Sequence, residues 1–388
     1  AFIAGCESEP SETLQQSIVE SSASSTFDPA NSVIPFPNDL LFRNSTDGTL
    51  NIPVEDANDF SDPSVALNGI DGFSTVAPMS TGFSSAIQTS SISGESVRLY
   101  KVTLSSSPLP GGAVVAINNR LTFGVDYFAT VSSVDSTDKT LAILPLKPLS
   151  EASHYYVVIT HDLKSTDGKG MGVSSAYALA KGNLALVDGG GVSQNSALSD
   201  AQAQALEPLR QLVNTSESFL LAGDTSLSLN EIILSWSFTT QSIGDVLTKV
   251  RTDLRAGAVP ASALVDIGFD TSLADIWAGT VDVPYYLTAA SGVNDPTPLG
   301  TFWQGASSSN LTRLNPTPIA TSTQSIPLMV SIPRAAVGAI PLVIYQHGIT
   351  TNRATMLVVA DSMAAAGMAV AAIDLPLHGL TGLETDGT

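Results

Sequence analysis

Four histidines and a single cysteine are the residues best equipped for acid–base, nucleophilic or metal chemistry in this 388-residue chain. His154, His161, His347 and His378 are scattered, and their spacing matches none of the short Cys/His patterns that hold zinc. His154 and His161 fall in strand-like segments and read as ordinary surface or edge residues. His347 in "YQHGITTNR" and His378 in "DLPLHG" each end an apolar run and precede glycine. From there an imidazole either supports a loop or serves as a general base. A serine nucleophile on a strand-to-helix turn calls for G-x-S-x-G, and no such pentapeptide occurs. The nearest matches, "GFSSA" from Gly82 and "GVSSA" from Gly172, lie in β-rich stretches and are set aside. The acidic run "VEDANDFSDP" has the spacing of no calcium loop and reads as a solvated surface. "DGGGV" at Asp188 lacks both the strand-to-helix setting and the lysine of a phosphate loop. No metal and no cofactor are expected.

Cys6 is the sole cysteine, so no disulfide can form within the chain. The opening "AFIAGCESEPSE" resembles the end of a bacterial lipoprotein signal peptide, with Ile3, Ala4 and Gly5 ahead of a lipid-modified Cys6. The chain would then begin inside such a signal. The following "ESEPSETLQQSIVESSASS" is polar and suits a disordered tether. Net charge is −20, from 36 acidic and 16 basic residues. Up to Asp71 the only basic residue is Arg43, against twelve acidic ones. Nucleic acid is excluded as a partner, since phosphate binding requires clustered Lys and Arg. Membrane attachment is expected through a lipid on Cys6 and not through charge, and no apolar run is long enough to span a bilayer.

The elements that must position these residues change character along the chain. "SVRLYKVTL", "VVAI", "DYFATVSSV", "KTLAILPL" and "HYYVVITHDL" are short alternating or β-branched runs between turn-rich pieces, the pattern of a β-sandwich. Within the last, Tyr155, Val157 and Ile159 should share one face, and Tyr156, Val158 and Thr160 the other. "SDAQAQALEPLRQLV" predicts a helix capped at Ser199 or Asp200, with a stripe of Ala205, Leu206, Leu209, Leu212 and Val213 and a kink or split at Pro208. "EIILSWSFTTQS" reads as a strand. "SIGDVLTKVRTDLRAG" reads as a second helix whose apolar face joins Val246, Leu247, Val250 and Leu254. After Val281, "VDVPYYLTAA" and "SIPLMVSIP" form two strands around a long Pro/Ser/Thr-rich connection. "IPLVIYQHG" suits a central strand buried on both faces. A helix capped at Asn352, with Met356, Val359, Ala360 and Met363 at helical spacing, leads to a further buried strand in "MAVAAIDLPLHG". Strand, helix and strand make a parallel crossover.

"LPLKPLSEASHYYVVITHDLKSTDGKGM" resembles bacterial immunoglobulin-like modules. "VIYQHGITTNR", the alanine-rich helix and "VAAIDLPLHG" resemble the third strand, first helix and fourth strand of α/β-hydrolase lipases. Together with "FDPANSVIPFPNDLLF" and "DGTLNIP", they make the chain resemble the N-terminal portion of the bacterial extracellular lipase and phospholipase lipoproteins, the virulence-factor lipases. The likeness is firmest over Phe27 to Pro53 and Pro341 to Gly379. It implies a mixed fold: a tether over 1–26, a β-rich region with an immunoglobulin-like sandwich over 27–190, a helical connecting region over 191–280, and the front of an α/β-hydrolase domain over 281–388. It further implies that Ile349 is the main-chain oxyanion donor, with Gly348 allowing a sharp turn and a close approach to substrate, and with His347 and His378 as loop supports. The triad order Ser, acid, His in such folds argues against His347 as the base. Nucleophile, acid and base are expected beyond residue 388, leaving the chain inactive alone. The parent would be a surface-anchored or secreted lipase or phospholipase acting on lipid or other esters. The alternative is a non-catalytic surface lipoprotein whose sandwich binds a partner. Oligomeric state is not predicted.

Overall fold

The computed structural model describes residues 23–59, 61–257, 263–291, 295–375 and 378–379. Cys6 and the tether lie outside the described residues. The chain divides into two compact units, Ala1–Ile243 with Thr312–Leu314, and Gly244–Leu311 with Asn315–Thr388. No described helix is long and apolar enough to cross a membrane.

In the first unit, β1 (Met79–Gly82), β5 (Thr140–Pro145) and β4 (Tyr127–Val131) make a three-stranded sheet. A four-stranded sheet has the order β3 (Val114–Arg120), β2 (Val97–Leu104), β6 (His154–Thr160), β7 (Ile232–Thr239). All pairings are antiparallel. Alternation along β6 separates two cores. Tyr155, Val157 and Ile159 join Leu99, Phe238 and the three-stranded sheet's Leu141 and Ile143, while Tyr156 and Val158 join Tyr100, Val102 and Leu220. A fully buried Phe or Leu side chain contributes about 1.5–3 kcal/mol, so these faces set the register. The Phe27–Pro53 block is tied in by Phe27 and Phe42 in the larger core and by Trp236 Nε1 donating to Pro37 O at 2.9 Å.

Among the helices α1 (Pro63–Leu67), α2 (Ser175–Lys181), α3 (Asp200–Gly223), α4 (Asp245–Ala256) and α5 (Leu357–Ala365), α3 begins with a capping box between Ser199 and Gln202. It runs unbroken through Pro208, so the predicted split does not occur. Packing of Ala203 before the proline and of Leu209, Val213 and Leu220 after it outweighs the one main-chain bond that Pro cannot donate. Its buried face also carries Glu207 and Glu217, each with partners: Arg210 Nη2 lies 2.7 Å from Glu207, and Tyr177 donates to Glu217 Oε1 at 2.7 Å. In α4 only Val250 of the expected stripe is buried, and Leu247 and Leu254 stand exposed. Helical periodicity identifies an apolar face without saying that anything covers it.

The second unit holds one five-stranded sheet, ordered β11 (Leu342–Tyr345), β12 (Ala369–Ile373), β10 (Ser322–Pro333), β9 (Ala274–Tyr285), β8 (Val265–Asp270). β9 and β10 form a twelve-residue antiparallel ladder from Ser322↔Tyr285 to Pro333↔Ala274. β11 and β12 pair in parallel, and α5 lies on the chain between them. Ile276, Met329, Met356, Val370 and Ala372 form its core. β12 is interior, between β11 and β10. β11, expected to be central and buried on both faces, is instead an edge: Leu342 and Ile344 are exposed, the latter by 83%. Its apolar composition suits a neighbour on each side, and among the described residues it has one.

Candidate functional site

The chain leaves β11 at its carboxyl end and turns through His347, Gly348 and Ile349 before a 3-10 turn, Arg353–Met356, leads into α5. Because β12 runs parallel, its own carboxyl end arrives beside this corner, bringing Asp374, Leu375 and His378. In open α/β sheets that end is where ligands bind.

His347 is buried, and both ring nitrogens are committed. Leu375 N–H donates to Nε2 at 3.0 Å, and Nδ1 lies 2.8 Å from Gly348 O. A carbonyl only accepts, so the proton sits on Nδ1 and the ring is neutral. The imidazole thus straps the loop after β12 to the loop after β11 and has no free lone pair to act as a base. The His378 ring lies 5.2 Å from it, centroid to centroid.

Gly348 O is the hub of the corner. It accepts from His347 Nδ1, from Thr351 Oγ1 at 2.7 Å and from Thr351 N at 3.3 Å. In a planar trans peptide the N–H points opposite to the C=O. Three donors drawing this carbonyl inward therefore turn the Ile349 N–H outward. That N–H has no acceptor among the described residues, and the Ile349 side chain is 85% exposed. Among the described residues the corner is open and this fixed donor is unused.

The Gly348 backbone does not take the left-handed conformation, which falls on Thr350 at φ 66°. A Cβ added at Gly348 would meet nothing within 4 Å, so the space beside it is open among the described residues.

Beneath the corner, buried Asp374 accepts from Arg353 N at 2.8 Å and is ion-paired with the Arg353 guanidinium. Gly379, at φ 54°, packs its backbone against the same carboxylate, where a Cβ would collide. Asp361 on α5 accepts from Leu273 N at 2.8 Å, and hydrogen bonds, first from Thr271, hold its carboxyl below the usual range. Thr351, Arg353 and Asp374 escape a motif search. The readable signal is the charged residue closing the apolar run "VAAID", since a carboxylate at the end of a buried strand needs a partner.

The other candidates lie apart, in the first unit. Ser84 Oγ accepts from Ser24 N at 2.9 Å, and Ser174 caps α2 while donating to Phe27 O at 2.8 Å. Both serve the local backbone. His161 is exposed, but His154, expected at the surface, is buried, with Nδ1 2.8 Å from Thr239 Oγ1. Burial, with Arg313 adding charge repulsion, pushes its pKa down to about 4. Its strand is interior to the four-stranded sheet, which a short alternating run does not reveal. Asp56 and Asp59 cap local turns and Asp188 accepts from Gly190 N and Val192 N. No group of His, Cys, Asp and Glu among the described residues could hold a metal ion.

Among solved structures, the S-layer protein rSbsC(31-844) is similar at 11% identity over 71% of this chain and 26% of that one, with a TM-score of 0.18. So poor a superposition says nothing about fold. No curated protein matches. The family model described as bacterial virulence factor lipase N-terminal matches residues 14–266, which takes in the β-rich unit, α4 and the start of β8. With more than half of its length matched, the chain belongs to the bacterial virulence factor lipase N-terminal family.

Proposed function

We propose that this chain supplies the front of an α/β-hydrolase fold in an exported bacterial lipase acting on carboxylic esters of lipids, and that the Ile349 N–H is one of its two oxyanion donors. The observation that carries this reading is the Ile349 N–H, without an acceptor among the described residues, at the carboxyl end of a parallel strand, its peptide plane held by His347 and Thr351. The order of the sheet supports it: an antiparallel pair, β9 and β10, then a crossover that sets β12 inside β11. When a serine attacks an ester carbonyl, negative charge gathers on the carbonyl oxygen, and a donor already aimed there stabilises the transition state without reorganising. The second donor in such folds is the N–H after the nucleophile. The chain contains no G-x-S-x-G, so that serine would have to arrive on a strand laid along the open edge of β11. The two antiparallel sheets sharing a core support an immunoglobulin-like reading of the first unit. Lipidation of Cys6 would hold the enzyme at a membrane surface.

The test uses the protein made from its complete gene and a lipid-like nitrophenyl ester. Ile349→Pro deletes the N–H and is expected to lower kcat by about 10²–10³, whereas Ile349→Ala keeps the N–H and should leave the rate near wild type. Equal rates in the two variants would remove Ile349 from the mechanism. The absence of any serine-dependent turnover in the full protein would favour a non-catalytic binding module. Turnover by the 388-residue chain alone, blocked by a serine-directed reagent, would place the nucleophile within it and overturn the edge-strand reading.

A further inference from the structure

The loop after β11 is fastened to the end of β12 at both of its feet. At its start, the His347 ring accepts from Leu375 N at 3.0 Å. At its finish, Arg353 N donates to Asp374 Oδ1 at 2.8 Å, and the Arg353 guanidinium pairs with Oδ2 of the same carboxylate. The two anchors, Asp374 and Leu375, are consecutive in the chain, so the five residues from Gly348 to Asn352 form an arch standing on one short stretch of backbone. Ile349 lies inside it.

The two feet are not equal. The His347 contact is a single neutral hydrogen bond, whereas Asp374 takes a main-chain donor and a guanidinium at once, and hydrogen bonds to charged groups are roughly twice as strong as neutral ones. Asp374 is also walled in: it is 1% exposed, and the Gly379 backbone lies so close that a Cβ there would strike its carboxylate. Within the arch, Thr350 stands in the left-handed region at φ 66°. A β-branched residue keeps that conformation only where its surroundings impose it. With the far foot released, Thr350 can return to an ordinary conformation. The chain on either side of it, the Ile349 N–H included, then loses its fixed direction.

We propose that Asp374, acting through Arg353, is a positioning residue for the Ile349 N–H, holding the arch in the shape that aims this donor outward. The use of that donor rests on the proposed ester hydrolysis, but the clamp itself does not. Asp374→Asn retains an acceptor for Arg353 N and turns an amide NH₂ toward the guanidinium, donor against donor. In the protein made from its complete gene, acting on the nitrophenyl ester, it should lower kcat about tenfold with KM unchanged, since an oxyanion donor is engaged only in the transition state. In an Ile349→Pro background the same substitution should have no further effect, because the donor it aims is already gone. Loss of folded enzyme would instead lower the rate alike in both backgrounds. Arg353→Gln, on the more exposed partner, keeps the main-chain donor and should repeat the pattern. In the 388-residue chain alone, the heteronuclear nuclear Overhauser effect of the Ile349 amide should fall toward mobile values in both variants, while that of buried Val370 stays as in wild type. Equal rate losses in the two backgrounds, or an Ile349 amide as rigid in the variants as in wild type, would overturn the proposal. Should Ile349→Pro turn over like wild type, the hydrolase reading fails by itself, and the relaxation measurement still decides whether Asp374 holds the arch. If Asp374→Asn does not fold, Arg353→Gln carries both tests.

Discussion

Asp39 and His154 are two buried titratable groups joined through one hydroxyl. Thr239 Oγ1 donates to Asp39 and lies 2.8 Å from His154 Nδ1. Burial dominates both: it pushes the Asp39 carboxyl up from 3.8 to about 6, against the favourable contacts of Thr239, Ser237 and the Gly111 and Thr239 backbone, and it holds the imidazole neutral. A carboxyl whose pKa is higher folded than unfolded binds its proton more tightly in the native state. Its contribution is therefore most favourable below pH 4 and is lost as pH rises to about 6, staying lost above that. The loss is on the order of 2–3 kcal/mol. Glu217 shifts the same way, and Glu207, bonded to Arg210, shifts the opposite way to about 2, so only a difference between proteins isolates Asp39. Asp39→Asn should gain stability relative to wild type as pH goes from 4 to 7, measured by urea unfolding at each pH. A constant difference across that range would show that the carboxyl is not held out of its ordinary titration.

At the scale of elements, strands in the first unit were legible because alternation along "HYYVVIT" reports two different buried faces, and the structure assigns its odd and even residues to two cores. The cap at Ser199 was legible because Ser and Gln three apart satisfy each other's backbone. What a one-dimensional pattern cannot carry is the neighbour. "LVIY" has the composition of an interior strand and stands at an edge, "DVLTKVRTDL" has the stripe of a packed helix and leaves Leu247 and Leu254 open, and the partnership of Asp374 with Arg353 spans a crossover. An apolar edge strand with unpaired N–H and C=O groups is a template for another strand. Purified chain should consequently self-associate as concentration rises, and Ile344→Lys, which places a charge where the side chain is already 83% exposed, should suppress that association without unfolding the unit. Sedimentation velocity over a concentration series reads both. A wild-type chain that stays monomeric throughout would mean that the β11 edge is protected.

Across the whole molecule, buried apolar clusters are divided as the compact units are. The first unit contains clusters of 28 and 9 buried residues and the second a cluster of 5, among the described residues. Stability follows the apolar surface removed from water, so the second unit should be the weaker. A chain with two separately cored units has no reason to unfold in one step. Calorimetry should resolve two transitions, with that of the second unit at lower temperature. Single truncations then act as labels. Ile276→Ala, in the core of the second unit, should lower only the first transition, by about 2–5 kcal/mol. Phe238→Ala, where the ring stacks on Tyr155 with centroids 5.4 Å apart, should lower only the second, by about 3–5 kcal/mol. A strand docked on β11 would add apolar contact to the weaker unit alone, raising the lower transition toward the upper one. A single transition that both substitutions shift equally in the isolated chain would contradict this division, because it would mean that the small core of the second unit draws its stability from the first.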